Sequence, residues 1–323
     1  MQVAAFLGAA VLLPTGVLLL VLGLRRPAST DGRTGSPAGS GPVPHRIHLP
    51  VPADHRSTYL ERQECRLRLG MNYEANLVVV ADNLARRPAA LRGIAMESAD
   101  MPIDDLVTVS TYLNGPSTGL DRALRNGAPD THRSVIACLI SGLRRFPIHQ
   151  GACFGVARRV GVPLDVYLPG RVLIEPAFVR ADTRWSTPPA NAMDDDEIVF
   201  AFWSRTGRQV GALETDSSTV LFASGTSFRV LGVTPASIGG RPGIVFLGEY
   251  PRPTASIWVR LPARIGLGEN RILAQLRKQI AATQRIEPDH RHAPPELGFT
   301  PGFDEYGRPY QEDQEEEPQP VQR

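Results

Sequence analysis

Few residues in this chain are spaced for chemistry. Four carboxylates run together at Asp194, Asp195, Asp196 and Glu197. Hard oxygen ligands of this kind suit a divalent cation, but the run matches no calcium-loop spacing and reads as a solvated loop. His45, His48 and His55 lie in a Pro-rich stretch where no carboxylate or thiol completes a tetrahedral set, so no metal is expected. Cys65, Cys138 and Cys153 follow no metal-ligand pattern. Their odd number leaves no complete disulfide framework, and reduced, partly buried thiols are the expected state. Ser204 sits in Trp203-Ser204-Arg205 with no G-x-S-x-G elbow and no histidine near in sequence. That segment reads as a strand ending at the turn Thr206-Gly207, and Arg144-Arg145 as the positively charged end of a helix.

These side chains must be positioned by elements that change character along the chain. Ala75 to Ala85, Asp104 to Leu113 and Leu120 to Arg125 read as helices, the last stopped by Gly127. Asp130 is expected to cap another, whose Val135, Ile136, Leu139, Ile140 and Leu143 recur at three- and four-residue spacing. After Pro147 the segments are short, β-branched or aromatic, and punctuated by Gly and Pro. Gln150–Val156, Arg171–Ile174, Glu197–Trp203, Ser218–Phe222, Ser227–Val233 and Arg241–Tyr250 read as strands. Glu269 to Thr283 returns to amphipathic helix. Helices first and strands second predict an α+β fold rather than an alternating parallel sheet.

The ends of the chain differ from this body. Residues 3–24 hold no charge, and 22 helical residues cover a hydrocarbon core of about 30 Å. Arg25-Arg26 follow directly, and no basic residue precedes the run, so a single transmembrane anchor is expected rather than a cleaved leader. The same arginines place the body on the cytoplasmic side. Residues 27–56 read as a disordered Pro/Gly/Ser linker, 57–286 as the α+β domain, and 287–323 as a disordered acidic tail. With 35 Lys+Arg against 33 Asp+Glu the net charge is +2, too small to argue for nucleic acid.

Five segments in order, from about Leu106 to Tyr250, carry a resemblance. Tyr112 is followed by Leu120-Asp121-Arg122-Ala123-Leu124-Arg125. Then come Leu143-Arg144-Arg145-Phe146-Pro147 and Gln150-Gly151-Ala152-Cys153-Phe154-Gly155. The third segment is Leu168-Pro169-Gly170-Arg171 with Glu175-Pro176-Ala177-Phe178, and the fourth is Trp203-Ser204-Arg205-Thr206-Gly207-Arg208. The fifth runs from Val220-Leu221-Phe222 through Ser224-Gly225-Thr226 to Phe228-Arg229-Val230-Leu231. Together they resemble the arginine-type mono-ADP-ribosyltransferases of bacterial toxins and vertebrate ectoenzymes. The resemblance implies a split β-sheet core of about residues 106–250.

It also implies a chemistry. In that family an arginine on the first core strand holds the pyrophosphate of NAD, because its planar fork matches phosphate oxygens. A serine-centred strand shapes the nicotinamide pocket. A glutamate in an E-x-E arrangement steadies the oxocarbenium-like ribose. This sequence departs at each position. The arginine position falls on Gly155 or is lost, depending on how Phe154 aligns. The serine position falls on Arg180, and the E-x-E positions on Ser217 and Thr219. Arg158 and Arg159 follow Gly155 closely, and Glu214 precedes Thr219 by five residues. Arg158, Arg159, Trp203 and Ser204 are therefore the cofactor-binding candidates, and Glu214 the substitute carboxylate.

Three readings stay open from sequence. The first is a membrane-anchored, catalytically degenerate protein that acts by binding a protein partner, a nucleotide or both. The second is an active NAD-dependent transferase with relocated groups such as Arg158 and Glu214. The third is a tethered scaffold of unrelated α+β fold.

Overall fold

The computed structural model describes residues 45–86, 103–115, 118–158, 162–184, 197–213, 218–236, 243–250, 265–283 and 295–312. The apolar run 3–24, Arg159, Asp194–Asp196, Glu214 and Ser217 lie outside them. Among the described residues no helix is long and apolar enough to cross a membrane.

The first half is helical. A capping box opens α1 (Tyr59–Leu69): Thr58 Oγ1 accepts from Glu61 N at 3.2 Å, and Thr58 N donates to Glu61 Oε2 at 2.8 Å. Gly70, at φ 51°, ends it and lets α2 (Met71–Arg86) leave in a new direction. Next come α3 (Ile103–Asn114), α4 (Thr118–Arg125) and α5 (Arg133–Leu143). Asp130 does not cap α5. It opens a 3-10 turn over Asp130–His132, and no side chain caps the helix that follows. On α5, Gly142 permits close approach to α3: a Cβ there would lie 2.5 Å from the Asp105 carbonyl oxygen.

The second half is a sheet ordered β3-β8-β9-β5-β2-β4-β7-β6. Its strands are β2 (Gly151–Arg158), β3 (Val172–Glu175), β4 (Val179–Asp182), β5 (Glu197–Ser204), β6 (Arg208–Gln209), β7 (Thr219–Phe222), β8 (Thr226–Thr234) and β9 (Gly243–Tyr250). All neighbours are antiparallel except β5 and β9. The two central strands β2 and β4 share a single register pair, Phe154 with Asp182. A block of five strands and a block of three therefore meet at one point. A short strand β1 (His45–Ile47) pairs in parallel with β10 (Tyr310–Glu312).

Period-two alternation sends each strand's side chains to two faces. Between the blocks, Phe200, Phe202, Phe222 and Phe228 form an aromatic interior, with Phe202 and Phe222 ring centroids 5.6 Å apart. Helix α6 (Leu267–Thr283) covers the outer face of the five-strand block, laying Leu273, Leu276 and Ile280 on Ala152, Phe154 and Phe246. The outer side of the three-strand block, Leu221 with Phe178, packs on Leu106, Val109, Ile136 and Ile140 of the helical half.

Two expectations for the ends need correction. The disordered linker was expected to run to residue 56, but Ile47 and Val51 are buried in the body. The disordered tail was expected from residue 287, but 295–312 is structured, with Leu297, Phe303 and Tyr310 buried. Apolar burial outweighs the chain entropy that a Pro-rich composition suggests.

Asp104, at the start of α3, ties this helix to α1 and α2. It accepts from the Tyr73 hydroxyl at 2.6 Å and from Arg66 at 2.7 Å. Burial pushes its carboxyl up, but the Tyr73 and Arg66 hydrogen bonds outweigh burial and hold it below the ordinary range. Tyr73, buried against that carboxylate, is pushed up to about 12. A folded carboxyl value below the unfolded one stabilises above the unfolded value and loses that contribution as pH falls through the folded one. Asp104→Asn is expected to cost roughly 1–3 kcal/mol at pH 6. In urea titrations against pH, the gap between wild type and variant should narrow below pH about 4.

Candidate functional site

The face lying under α3 brings together polar groups of α3, α4, β4 and the entry to β7. Tyr112 on α3 donates to Asp121 on α4, 3.0 Å to Oδ1, and its hydroxyl lies 3.4 Å from the Phe178 carbonyl oxygen. Its ring packs on Phe178, centroids 5.4 Å apart. Beside it, Val179 and Ala181 of β4 turn into the aromatic interior, so Arg180 and Asp182 turn outward. Arg180 donates to the Leu113 carbonyl, at the C-terminal end of α3, at 3.2 Å. Asp182 accepts from Ser218 Oγ at 2.7 Å and from the Arg184 amide at 2.6 Å. Arg184 also donates to Ser218 Oγ at 2.8 Å. Thr219 is in register with Asp182, and Leu221 with Arg180.

The sequence candidates divide between two faces. Arg180 and Thr219 come together on the outer one. Gly155 does not join them. It points into the interior with Cys153 and Ala157, and a Cβ on it would lie 3.0 Å from Leu297. The β2 residue in register with Asp182 is Phe154, whose side chain joins Ala152 and Val156 under α6. Arg158 is exposed at the end of β2, 3.7 Å from an equally exposed Glu296. Trp203 packs on the α6 side of β5. Ser204 is buried and donates to the His149 carbonyl at 2.9 Å, while its oxygen accepts from Gly207 N at 3.1 Å. It fixes a turn and is no exposed nucleophile. Arg158 thus lies at one end of the β2–β5 ladder, in register with Glu197, and Trp203 and Ser204 at the other, in register with Ala152 and Gly151. Among the described residues no three His, Cys, Asp or Glu side chains gather to hold a metal ion.

Asp182, Arg184 and Ser218 are the residues that sequence reasoning missed. Only Asp182 left a signal, standing two residues after Arg180 and thus on the same face of an extended strand. One further motif residue has a role unforeseen from sequence. Arg125, from the Leu124-Arg125 segment, places one guanidinium nitrogen 2.7 and 2.6 Å from the two oxygens of Glu175, from the Glu175-Pro176-Ala177-Phe178 segment. Burial works against that charge, but Glu175 outweighs it and raises the guanidinium above its ordinary value.

No family profile matches the chain. A stretch of 144 residues, 43% of this chain, is 32% identical to Mav of Mycobacterium avium (strain 104), a candidate NAD(+)–arginine ADP-ribosyltransferase. The body is ADP-ribosyltransferase-like. The chain spans 17% of the length of Mav. Among solved structures, the ADP-ribosyltransferase HopU1 of Pseudomonas syringae pv. tomato DC3000 aligns at a TM-score of 0.49 and 14% identity, over 61% of this chain and 99% of that one. The type III effector XopAI of Xanthomonas axonopodis pv. citri aligns at 0.46 and 18%, over 61% and 86%. Vis of Vibrio splendidus aligns at 0.38 and 18%, over 55% and 85%.

In this ADP-ribosyltransferase-like body the Arg125–Glu175 pair joins two motif segments from opposite halves. Glu175→Gln leaves a buried guanidinium without its countercharge. The expected loss is about 3–5 kcal/mol, read as a drop in the urea midpoint. Replacing both residues with leucine should cost clearly less than the single change, because no charge is then stranded.

Proposed function

We propose that this chain is a membrane-tethered, ADP-ribosyltransferase-like binding module without transferase activity. The supporting observation is the chemistry of the outer face. A guanidinium, Arg180, stands where the family has its serine, and it is engaged with the end of α3. Thr219, uncharged and buried, stands where the family has its glutamate. The β2 position in register with this face carries Phe154 in place of a phosphate-binding arginine. The tether rests on the 22 uncharged residues from Val3 to Leu24. A protein is the favoured partner, because a scaffold that has lost NAD chemistry still offers a shaped, partly charged surface.

The competing reading, an active transferase with relocated groups, draws on Asp182. That carboxylate lies across from Thr219, the family's glutamate position. It already accepts from Ser218 and the Arg184 amide, which favours a structural role. Glu214 is the other carboxylate near in sequence.

Calorimetry of the full chain in detergent micelles against NAD tests the proposal, together with transfer of labelled ADP-ribose to the chain itself and to arginine-rich acceptors. The expected result is no heat at millimolar NAD, so binding weaker than about −4 kcal/mol, and no transfer. Micromolar binding, or label transfer that Asp182→Asn or Glu214→Gln abolishes, would overturn it.

A further inference from the structure

In an antiparallel ladder every second residue turns both its N–H and its C=O to the same edge. On β2, Phe154 faces β4 in their single register pair, and Val156 is the next residue on that edge. There the tip of the C-terminal segment, residues 295–297, takes the place of β4. Val156 N donates to the Pro295 carbonyl at 3.0 Å, and Leu297 N to the Val156 carbonyl at 2.7 Å, which bridges Val156 and Glu296 in parallel. Alternation turns Leu297 inward over Gly155, with Cys153 and Ala157, and Glu296 outward to Arg158, 3.7 Å away. The tip is held differently from the rest of the segment. Pro295 is half-buried and Glu296 and Gly298 are exposed, whereas Thr300 to Asp304 are buried. The Arg125–Glu175 network grips Thr300, Gly302 and Phe303, and β10 pairs with β1. Between tip and base stands Gly298, at φ 68° with open space where a Cβ would be, so a change of backbone angle there meets no packing.

We infer, resting on the binding role proposed above, that the β2 edge at Val156 is a strand-addition site for a partner protein. Residues 295–297 are its internal ligand. They are displaced by an extended segment of the partner that carries an acidic residue followed by leucine. The seated tip shows what the site reads. The Val156 N–H and carbonyl pair with any extended backbone, which supplies affinity without sequence. Gly155 leaves room for a leucine at one position, and Arg158 favours a carboxylate at the position before it. Two backbone hydrogen bonds, one buried side chain and an exposed ion pair hold the tip. A partner's segment supplies the same contacts, so the exchange leaves the Val156 backbone groups paired. Because the base stays anchored, the tip is a tethered competitor at high effective concentration. It admits a partner whose segment is abundant or is brought to the site by further contacts.

The test is amide hydrogen exchange of the full chain in detergent micelles, read residue by residue, with a synthetic peptide of residues 293–299 as probe. Without peptide, the Val156 and Leu297 amides should exchange together, and faster than the Gly302 amide bonded to Glu175. At millimolar peptide the two should part. Leu297 of the chain should exchange faster as the tip is displaced, while Val156 exchanges no faster. The same peptide with Leu297→Asp should change neither. Leu297→Asp in the chain should raise affinity for the unaltered peptide roughly tenfold or more, read by fluorescence polarisation of a labelled copy. Leu297 exchange as slow as that of Gly302, a peptide that leaves Val156 and Leu297 exchanging together, or equal binding of the aspartate peptide would each overturn the site. NAD is absent throughout, so heat in the NAD titration counts against the proposed role alone, and failure of the peptide against this site alone.

Discussion

The buried pair of Arg125 and Glu175 is the interaction on which the arrangement of this body depends. Its carboxylate also accepts from the Ala177 amide at 2.9 Å and the Gly302 amide at 2.8 Å, and the Glu175 carbonyl accepts from Gly225 at 2.7 Å. The guanidinium is bonded in turn to the Phe303 and Thr300 carbonyl oxygens. It also stacks over Phe299 and Tyr310, at 4.4 and 4.9 Å from the ring centroids. One charge pair thus joins the end of α4, the β3–β4 corner, the β7–β8 turn and the C-terminal segment. Such pairs are costly to desolvate, and what justifies one is that its remaining donors and acceptors are satisfied. The network also explains why 295–312 stays on the body. It adds a charged anchor to the β1–β10 pairing and the burial of Leu297, Phe303 and Tyr310.

A second constraint follows from the single contact between β2 and β4. Beyond Phe154 and Asp182 the strands separate, and β2 finds another partner on that edge. Val156 N donates to the Pro295 carbonyl at 3.0 Å, and Leu297 N to the Val156 carbonyl at 2.7 Å. The C-terminal segment therefore satisfies backbone groups that the diverging sheet leaves open. It also brings the Leu297 side chain against Gly155. A Cβ there would lie 3.0 Å from Leu297, so a larger residue would require that side chain to yield by a few tenths of an ångström.

Most strands were legible because alternation and turn residues agree. Val220-Leu221-Phe222, Gly225 and Phe228 place two strands and a turn within a residue or so of where they fall. The α1 helix went unread, although Thr58-x-x-Glu61 is a capping box in plain sequence, because its exposed face mixes Tyr59, Leu60 and Leu67 with arginines and blurs the periodicity. The C-terminal segment went unread because its apolar residues follow no period and its partners are distant in sequence. The site was half legible. Arg180 and Thr219 were named from sequence, and the strand register sets both on the outer face, while Gly155 points into the interior.

The electrostatics of the outer face bear on the proposed loss of activity more than any single missing residue. The family's chemistry builds positive charge on a ribose and needs a fixed anion beside it. In the proposed reading the serine position carries a cation, the glutamate position is neutral, and Asp182, in register with Thr219, is already bonded to Ser218 and Arg184. A cation beside a developing positive charge raises its energy instead of lowering it. Restoring a glutamate at 219 alone would leave this repulsion in place. In the proposed binding role nothing needs to react, and Arg180 and Arg184 serve the fold through Leu113 and Ser218.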